Sequence, residues 1–189
     1  KTFHHEVGGG YLWSPITNNV GQRNAAYDFM TEIQAGDVVF SFAGTEIRAV
    51  GIALGGAFES PKPTVFGAAG DTWSALGWKV PVEFTRMEAP IKPAQHMEIL
   101  APLLPEKYSP IRANGAGNQQ YLFPVPDDMA QALLSLMGNP YLPGPGELLP
   151  RLYSMALTET DRQILSEPAV SETQKQSLVL ARRGQGLFR

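Results

Sequence analysis

Two tryptophans and two polar loops are the parts of this sequence whose residue types and spacing could do chemistry. Trp13 ends a predicted strand where Ser14-Pro15 turns the chain, which can leave its indole ring at the mouth of a barrel. Trp73 sits in a glycine-rich stretch, Gly55 to Gly77, where an exposed tryptophan has little structural reason to exist. Flat rings in such places stack on flat ligands, and core packing is the ordinary alternative for each. Ser14 and Ser41 bring hydroxyls that donate or accept hydrogen bonds, or act as plain turn and strand serines. For anions, Lys62 lies in the first loop, and Lys107, Tyr108, Arg112, Asn114, Asn118 and Gln119 lie in the second, Pro105 to Gln120. Glycines between their amides let backbone N–H groups approach an anion, and solvated loop residues are the plainer reading. Asn24 opens a helix and is placed either for a phosphate or for an N-cap.

Much chemistry is excluded. The chain has no cysteine, so disulfides, thiol nucleophiles and cysteine-ligated metals are ruled out. No phosphate-binding loop of P-loop type, no Gly-x-Ser-x-Gly elbow and no His-Glu-x-x-His pair occurs. His4, His5 and Glu6 read as a mobile start or an adventitious metal site, Gly8-Gly9-Gly10 as a flexible entry, and His96 stands alone. No set of nucleophile, base and electrophile can be assembled, so these residues read as a binding module and not as an enzyme. The net charge of -3 limits any contact with nucleic acid to a local patch with few phosphates, or to help from a basic neighbour.

The elements that must position these residues are short. Asp37 to Ala43 and Glu46 to Leu54 form a predicted hairpin around Gly44-Thr45. Val38, Phe40 and Phe42 share one face of its first strand, most simply as core, with Val39 and Ser41 on the other. Arg23 to Gln34 reads as an amphipathic helix through Ala26, Tyr27, Met30 and Ile33. Gly10 to Trp13 and Gln119 to Val125 read as strands. So does Trp78 to Phe84, confined to an edge or a bulge by Pro81. Asp127 to Leu136 begins a helical segment, followed by a proline- and glycine-rich connector from Gly138 to Pro150 and polar helices over Thr158 to Ser166 and Ser171 to Arg183. No apolar run approaches the roughly 18 residues of a membrane span. The whole reads as an α+β fold, a small β-barrel with peripheral helices and a C-terminal helical linker.

The order Tyr11-Leu12-Trp13-Ser14-Pro15, Arg23-Asn24-Ala25-Ala26, Gly36-Asp37-Val38-Val39-Phe40-Ser41-Phe42, Val50-Gly51-Ile52-Ala53, Lys62-Pro63, Trp78-Lys79-Val80-Pro81-Val82-Glu83-Phe84 and Pro90-Ile91 resembles an EVE domain. EVE domains belong to the PUA superfamily, with the YTH readers of methylated adenine in RNA, and the likeness covers roughly residues 10 to 125. The closing Arg182-Arg183-Gly184-Gln185-Gly186-Leu187-Phe188-Arg189 resembles the lead-in to the HNH nuclease domain of bacterial restriction-type endonucleases. The alternative for that stretch is a frayed tail.

The resemblance implies a reader domain over residues 1–126 and a helical linker over 127–189 leading to a nuclease domain whose catalytic residues this sequence does not contain. It implies a PUA-like (EVE/YTH-like) barrel that flips 5-methylcytosine or 5-hydroxymethylcytosine out of double-stranded DNA into an aromatic pocket of Trp13, Ser14, Ser41, Phe42, Trp73 and Trp78. Trp73 would match the loop tryptophan that closes the YTH cage, and Trp78 the tryptophan of the EVE pattern. It implies no cofactor for this chain, a divalent metal for the nuclease domain, a bacterial cytoplasmic setting without membrane contact, and a homodimer formed through the parent protein. Extruding a base costs a few kcal/mol, stacking returns roughly 1–3 kcal/mol per ring, and a buried methyl adds about 0.8 kcal/mol. Polar groups on the base edge must therefore supply part of the selectivity. The alternatives are a YTH/PUA-like RNA-binding module and a dimerisation module using the helices after Asp127.

Overall fold

Sixteen consecutive residues, Leu76–Ile91, form one strand, β5, on which the sheet of this computed structural model is assembled. The structure describes residues 2–17, 25–70 and 73–138. Within them α1 (Phe3–Gly9) leads into β1 (Tyr11–Pro15), and α2 (Ala25–Asp28) runs into a 3-10 turn over Phe29–Glu32. The hairpin of β2 (Val38–Ala43) and β3 (Glu46–Ala53) follows, then β4 (Phe58–Pro61), a 3-10 segment over Thr64–Gly70 and β5. The short α3 (Met97–Leu100) and the ten-residue α4 (Asp127–Leu136) complete it. The antiparallel sheet has the order β1-β5-β3-β2, with β4 also paired to β5, and it curls into half a barrel. The α+β class is thus observed.

The residues explain the pairing. Gly44 (φ 60°) and Thr45 (φ 70°) both take the left-handed conformation that a two-residue turn of type I′ requires, so the expected hairpin closes with the right twist. β5 changes partner at Pro81, pairing over Val82 to Ile91 with β3 and over Leu76 to Lys79 with β4 on the same side. Leu54 N–H donates to the Pro81 carbonyl (2.8 Å), and residues 54–57 bridge from β3 to β4 opposite the ring that lacks an N–H. The proline therefore does not mark an edge, as the sequence suggests. It lies in a central strand, at the one place where a partner strand ends and the next has not begun.

Other expectations are corrected in part. The predicted helix over Arg23 to Gln34 gives way at Phe29 to a 3-10 turn, where Thr31 Oγ1 donates to the Asp28 carbonyl (2.7 Å) and competes with the backbone ladder. Gln119 to Val125 forms no strand: Pro124 removes a donor, and the segment is bonded to the rest of the fold through the Tyr121 hydroxyl instead. The glycine-rich stretch is not one loop, since it contains β4 and the Thr64–Gly70 segment. The start is not a loose entry. Gly10 (φ 69°) caps α1, and Glu6 and Val7 are buried. The expected elements beyond Gly138, including the Arg182 to Arg189 motif, lie outside the described residues, as does Asn24.

Three apolar clusters fill the fold. Ile47, Val50, Met87, Ile91, Leu100 and Ile111 pack with Met129, Leu133 and Met137. The last three stand four residues apart on one face, so α4 is part of this core, although the sequence division assigns it to the linker. Leu12, Met30, Val39, Ala53, Val80 and Val82 form the second cluster, with Trp78 and Phe84 against it, so the predicted common face of residues 78, 80, 82 and 84 is observed. Tyr11, Trp13 and Phe66 form the third, with Trp73. Among the described residues no helix is long and apolar enough to cross a membrane.

Thr45, β-branched and at positive φ, carries strain that glycine would not. Thr45→Gly is expected to raise the free energy of unfolding by about 1 kcal/mol, read from the urea midpoint. An unchanged or lower midpoint would show that the threonine side chain stabilises the turn in another way.

Candidate functional site

The predicted pocket residues separate into three places. Trp13 is 1% exposed and lies over Gly77, where an added Cβ would collide with its ring atoms. Its centroid is 5.7 Å from Phe66 and 6.1 Å from Trp73, and Phe66 and Trp73 are 5.8 Å apart. These are direct ring contacts, which leave no slot for a base between the two tryptophans. The Trp13 indole N–H donates to the Ser60 carbonyl (3.3 Å), so its hydrogen bond is also made within the protein. Trp73 is half-buried, and Lys62 Nζ donates to the Gly70 carbonyl (2.8 Å), securing the loop that carries it. Lys79 Nζ stands 4.4 Å from the Tyr11 ring centre. This face is a packed aromatic brace.

Trp78 is on the other face. The register of β1 on β5 sets Trp13 opposite Lys79 and Ser14 opposite Trp78, and neighbouring residues of a strand point to opposite sides. Ser14 and Trp78 therefore share a face with the Leu12 and Val80 pair, at the end of the second core cluster. Ser14 is fully buried, and among the described residues neither its Oγ nor the buried Trp78 Nε1 has a hydrogen-bond partner. An unpaired buried polar group costs about 1–3 kcal/mol, and here two of them face each other across adjacent strands. The indole N–H can only donate, whereas the serine hydroxyl can donate or accept. Glu59 of β4 is the register partner of Trp78 on its other side, so an exposed carboxylate joins the same face. Glu59 does not stand out in the sequence, because its place depends on a strand hidden in a glycine-rich segment.

Ser41 and Phe42 are in the third place, on β2. Both line a groove of about 950 Å³ that runs between β2, residues 110–125 and the start of α4. Phe42 is 37% exposed and rests on Gly117, where a Cβ would strike its ring. The adjoining loop is built by residues the sequence offers to phosphates. Arg112 Nε donates to Asn118 Oδ1 (3.0 Å), Asn118 Nδ2 to the Ser109 carbonyl (2.7 Å), and Ala116 N–H to Asn114 Oδ1 (3.0 Å). Tyr108, at φ 55° and 49% exposed, meets Phe29 edge-on at 5.2 Å. Lys107 and Gln119 are exposed.

A polar clasp that sequence reasoning missed joins the start of the chain to this region. The Tyr121 hydroxyl donates to Glu6 Oε1 in a very short hydrogen bond and accepts from the Trp13 N–H (2.8 Å). Thr2 Oγ1 donates to Glu6 Oε2 (2.9 Å). Burial pushes the Glu6 carboxyl above its ordinary value, against the opposing pull of these donors. Burial, and then the neighbouring Glu6 charge, holds the Tyr121 phenol well above its own. Glu6 is consumed in this clasp, and among the described residues no three His, Asp or Glu side chains are grouped to hold a metal.

Because folding raises the Glu6 value above 4.5, the folded state keeps the proton where the unfolded chain has lost it. Stability is then fully supported below that pH and declines as pH rises through the folded value. Glu6→Gln is expected to flatten this decline in urea midpoints taken from about pH 4 to 7, and Tyr121→Phe to cost about 1–3 kcal/mol at every pH. Identical pH profiles for wild type and Glu6→Gln would contradict the assignment.

No protein-family model matches this chain, and no curated protein matches it either.

Proposed function

We propose that this chain is an EVE-like, PUA-superfamily reader that takes a modified cytosine flipped from duplex DNA and seats it against Ser14 and Trp78. The observation that carries the reading is the pair of buried polar atoms without a partner among the described residues, Ser14 Oγ and Trp78 Nε1, on register-paired residues of adjacent strands. Native proteins rarely retain such atoms unless something else satisfies them. A cytosine edge suits the set: its O2 and N3 accept from the indole N–H and the serine hydroxyl, and its exocyclic amine donates to the Glu59 carboxylate. Thymine would turn a carbonyl toward that carboxylate and be rejected.

In this arrangement Trp13 and Trp73 do not sandwich the base. They brace the opposite face, where Trp13 lies over Gly77, next to Trp78 in β5. The exposed Lys107 suits a contact with backbone phosphate, in keeping with an acidic chain that makes few of them. Joined to the HNH-like motif at Arg182 to Arg189, the reader would belong to a modification-dependent endonuclease whose nuclease domain supplies the divalent metal.

Ser14→Ala and Trp78→Phe separate this role from a structural one. Each removes an unsatisfied buried group, so each is expected to leave stability unchanged or raise it by about 1 kcal/mol. Each is also expected to weaken binding of a 5-methylcytosine duplex by about tenfold, measured by fluorescence anisotropy, because each removes one hydrogen bond to the base edge. Equal binding of both duplexes by the wild type would refute the proposal, as would tighter binding of single-stranded RNA.

A further inference from the structure

Among the described residues β2 is the last strand of its sheet, bonded to β3 on one side only. Ala53 N–H donates to the Asp37 carbonyl (2.8 Å), and the alternation continues through the register of Val39 with Gly51 and Ser41 with Ala49. The N–H and C=O groups of Val38 and Phe40 therefore point the other way, into the groove. Residues 120–125 run along its far wall and make no backbone hydrogen bond to β2 among the described residues. The floor is apolar, with Leu12, Val39 and Ile47 beneath. Among the described residues the charge at the groove has a single sign: Glu32, Asp37 and Asp127 are exposed on its lining, Glu6 is buried in its wall, and no lysine or arginine lines it. A phosphate backbone would be repelled there.

From this we infer that the groove is a docking site for a basic, extended polypeptide segment that adds to β2 as a further strand. Main-chain bonds to Val38 and Phe40 supply the pairing, alternate apolar side chains meet the floor, and lysine or arginine side chains meet Glu32, Asp37 and Asp127. The edge is otherwise of the kind that proteins cover or blunt. The site is distinct from the contact proposed above, since neither Ser14 nor Trp78 lines the groove.

The test titrates a fluorescent peptide, acetyl-Lys-Val-Arg-Val-Lys-Leu-amide, onto the 189-residue chain at low salt. Saturable binding is expected, with affinity falling several-fold as salt rises to about 0.3 M. The double substitution Glu32→Gln with Asp37→Asn is expected to weaken binding at least about fivefold, and alternate N-methylation of the peptide backbone at least about tenfold. On binding, hydrogen exchange at the Val38 and Phe40 amides should slow. Equal binding of the N-methylated peptide, or no effect of removing the two carboxylates, would overturn the inference. So would displacement of the peptide by oligo-dT, or a dimer of the chain that occupies the β2 edge and that the peptide does not dissociate.

Discussion

The register of β1 on β5 is the constraint on which the proposed binding face of this protein depends. With Ser14 opposite Trp78, and Trp13 opposite Lys79, one side of the same two strands carries an aromatic brace and the other carries the partnerless polar pair. A slip of one residue would exchange the two sets, because side chains alternate with a period of two. Several features hold the register in place. Trp13 fits over a glycine that no larger residue could replace without collision, its indole N–H is bonded to Ser60, and its backbone N–H is bonded to Tyr121. The brace thus fixes how Ser14 and Trp78 are placed without touching them as a ligand would.

The same economy appears in how β5 and the chain start are used. Pro81 allows one strand to serve two successive partners on one side, so β3 and β4 curl the sheet without a broken ladder in its middle. The Glu6 and Tyr121 clasp closes the other side, tying α1 to the segment that precedes α4. Burying a carboxyl in this way is costly, and three donors offset the cost only in part, which is why its proton is held more tightly than in water. Lys62, Arg112, Asn114 and Asn118 are likewise engaged in building loops, so the side chains that look most available to an anion in the sequence are those that the fold has partly used.

What was legible in the sequence was local. The β2 and β3 hairpin followed from Gly44-Thr45 between alternating runs, and α4 from two aspartates ahead of an apolar repeat. The apolar face of Trp78 to Phe84 followed from alternation alone. The separation of Trp13 from Trp78 was not legible, because it rests on a pairing between strands more than sixty residues apart in the chain. The clasp joins residues 115 positions apart and has no local signature. β4 escaped notice because Phe58-Glu59-Ser60-Pro61 is short and ends on a proline, and with it escaped Glu59. Gln119 to Val125 misled in the opposite sense: Tyr121, Phe123 and Val125 alternate as in a strand, but Pro124 withholds a donor that a strand needs.

The central claim, that the Trp78 indole N–H is a ligand donor and not a core atom, is open to direct observation. With nitrogen-15 in the indole rings, the three Nε1–H resonances can be followed as duplex DNA is added. The account predicts that 5-methylcytosine duplex moves the Trp78 resonance strongly downfield as its missing hydrogen bond forms, that unmodified duplex leaves it in place, and that the Trp13 resonance, already bonded to Ser60, hardly moves. A Trp78 resonance that stays fixed while modified duplex binds would contradict it, as would a large shift at Trp13 in its place.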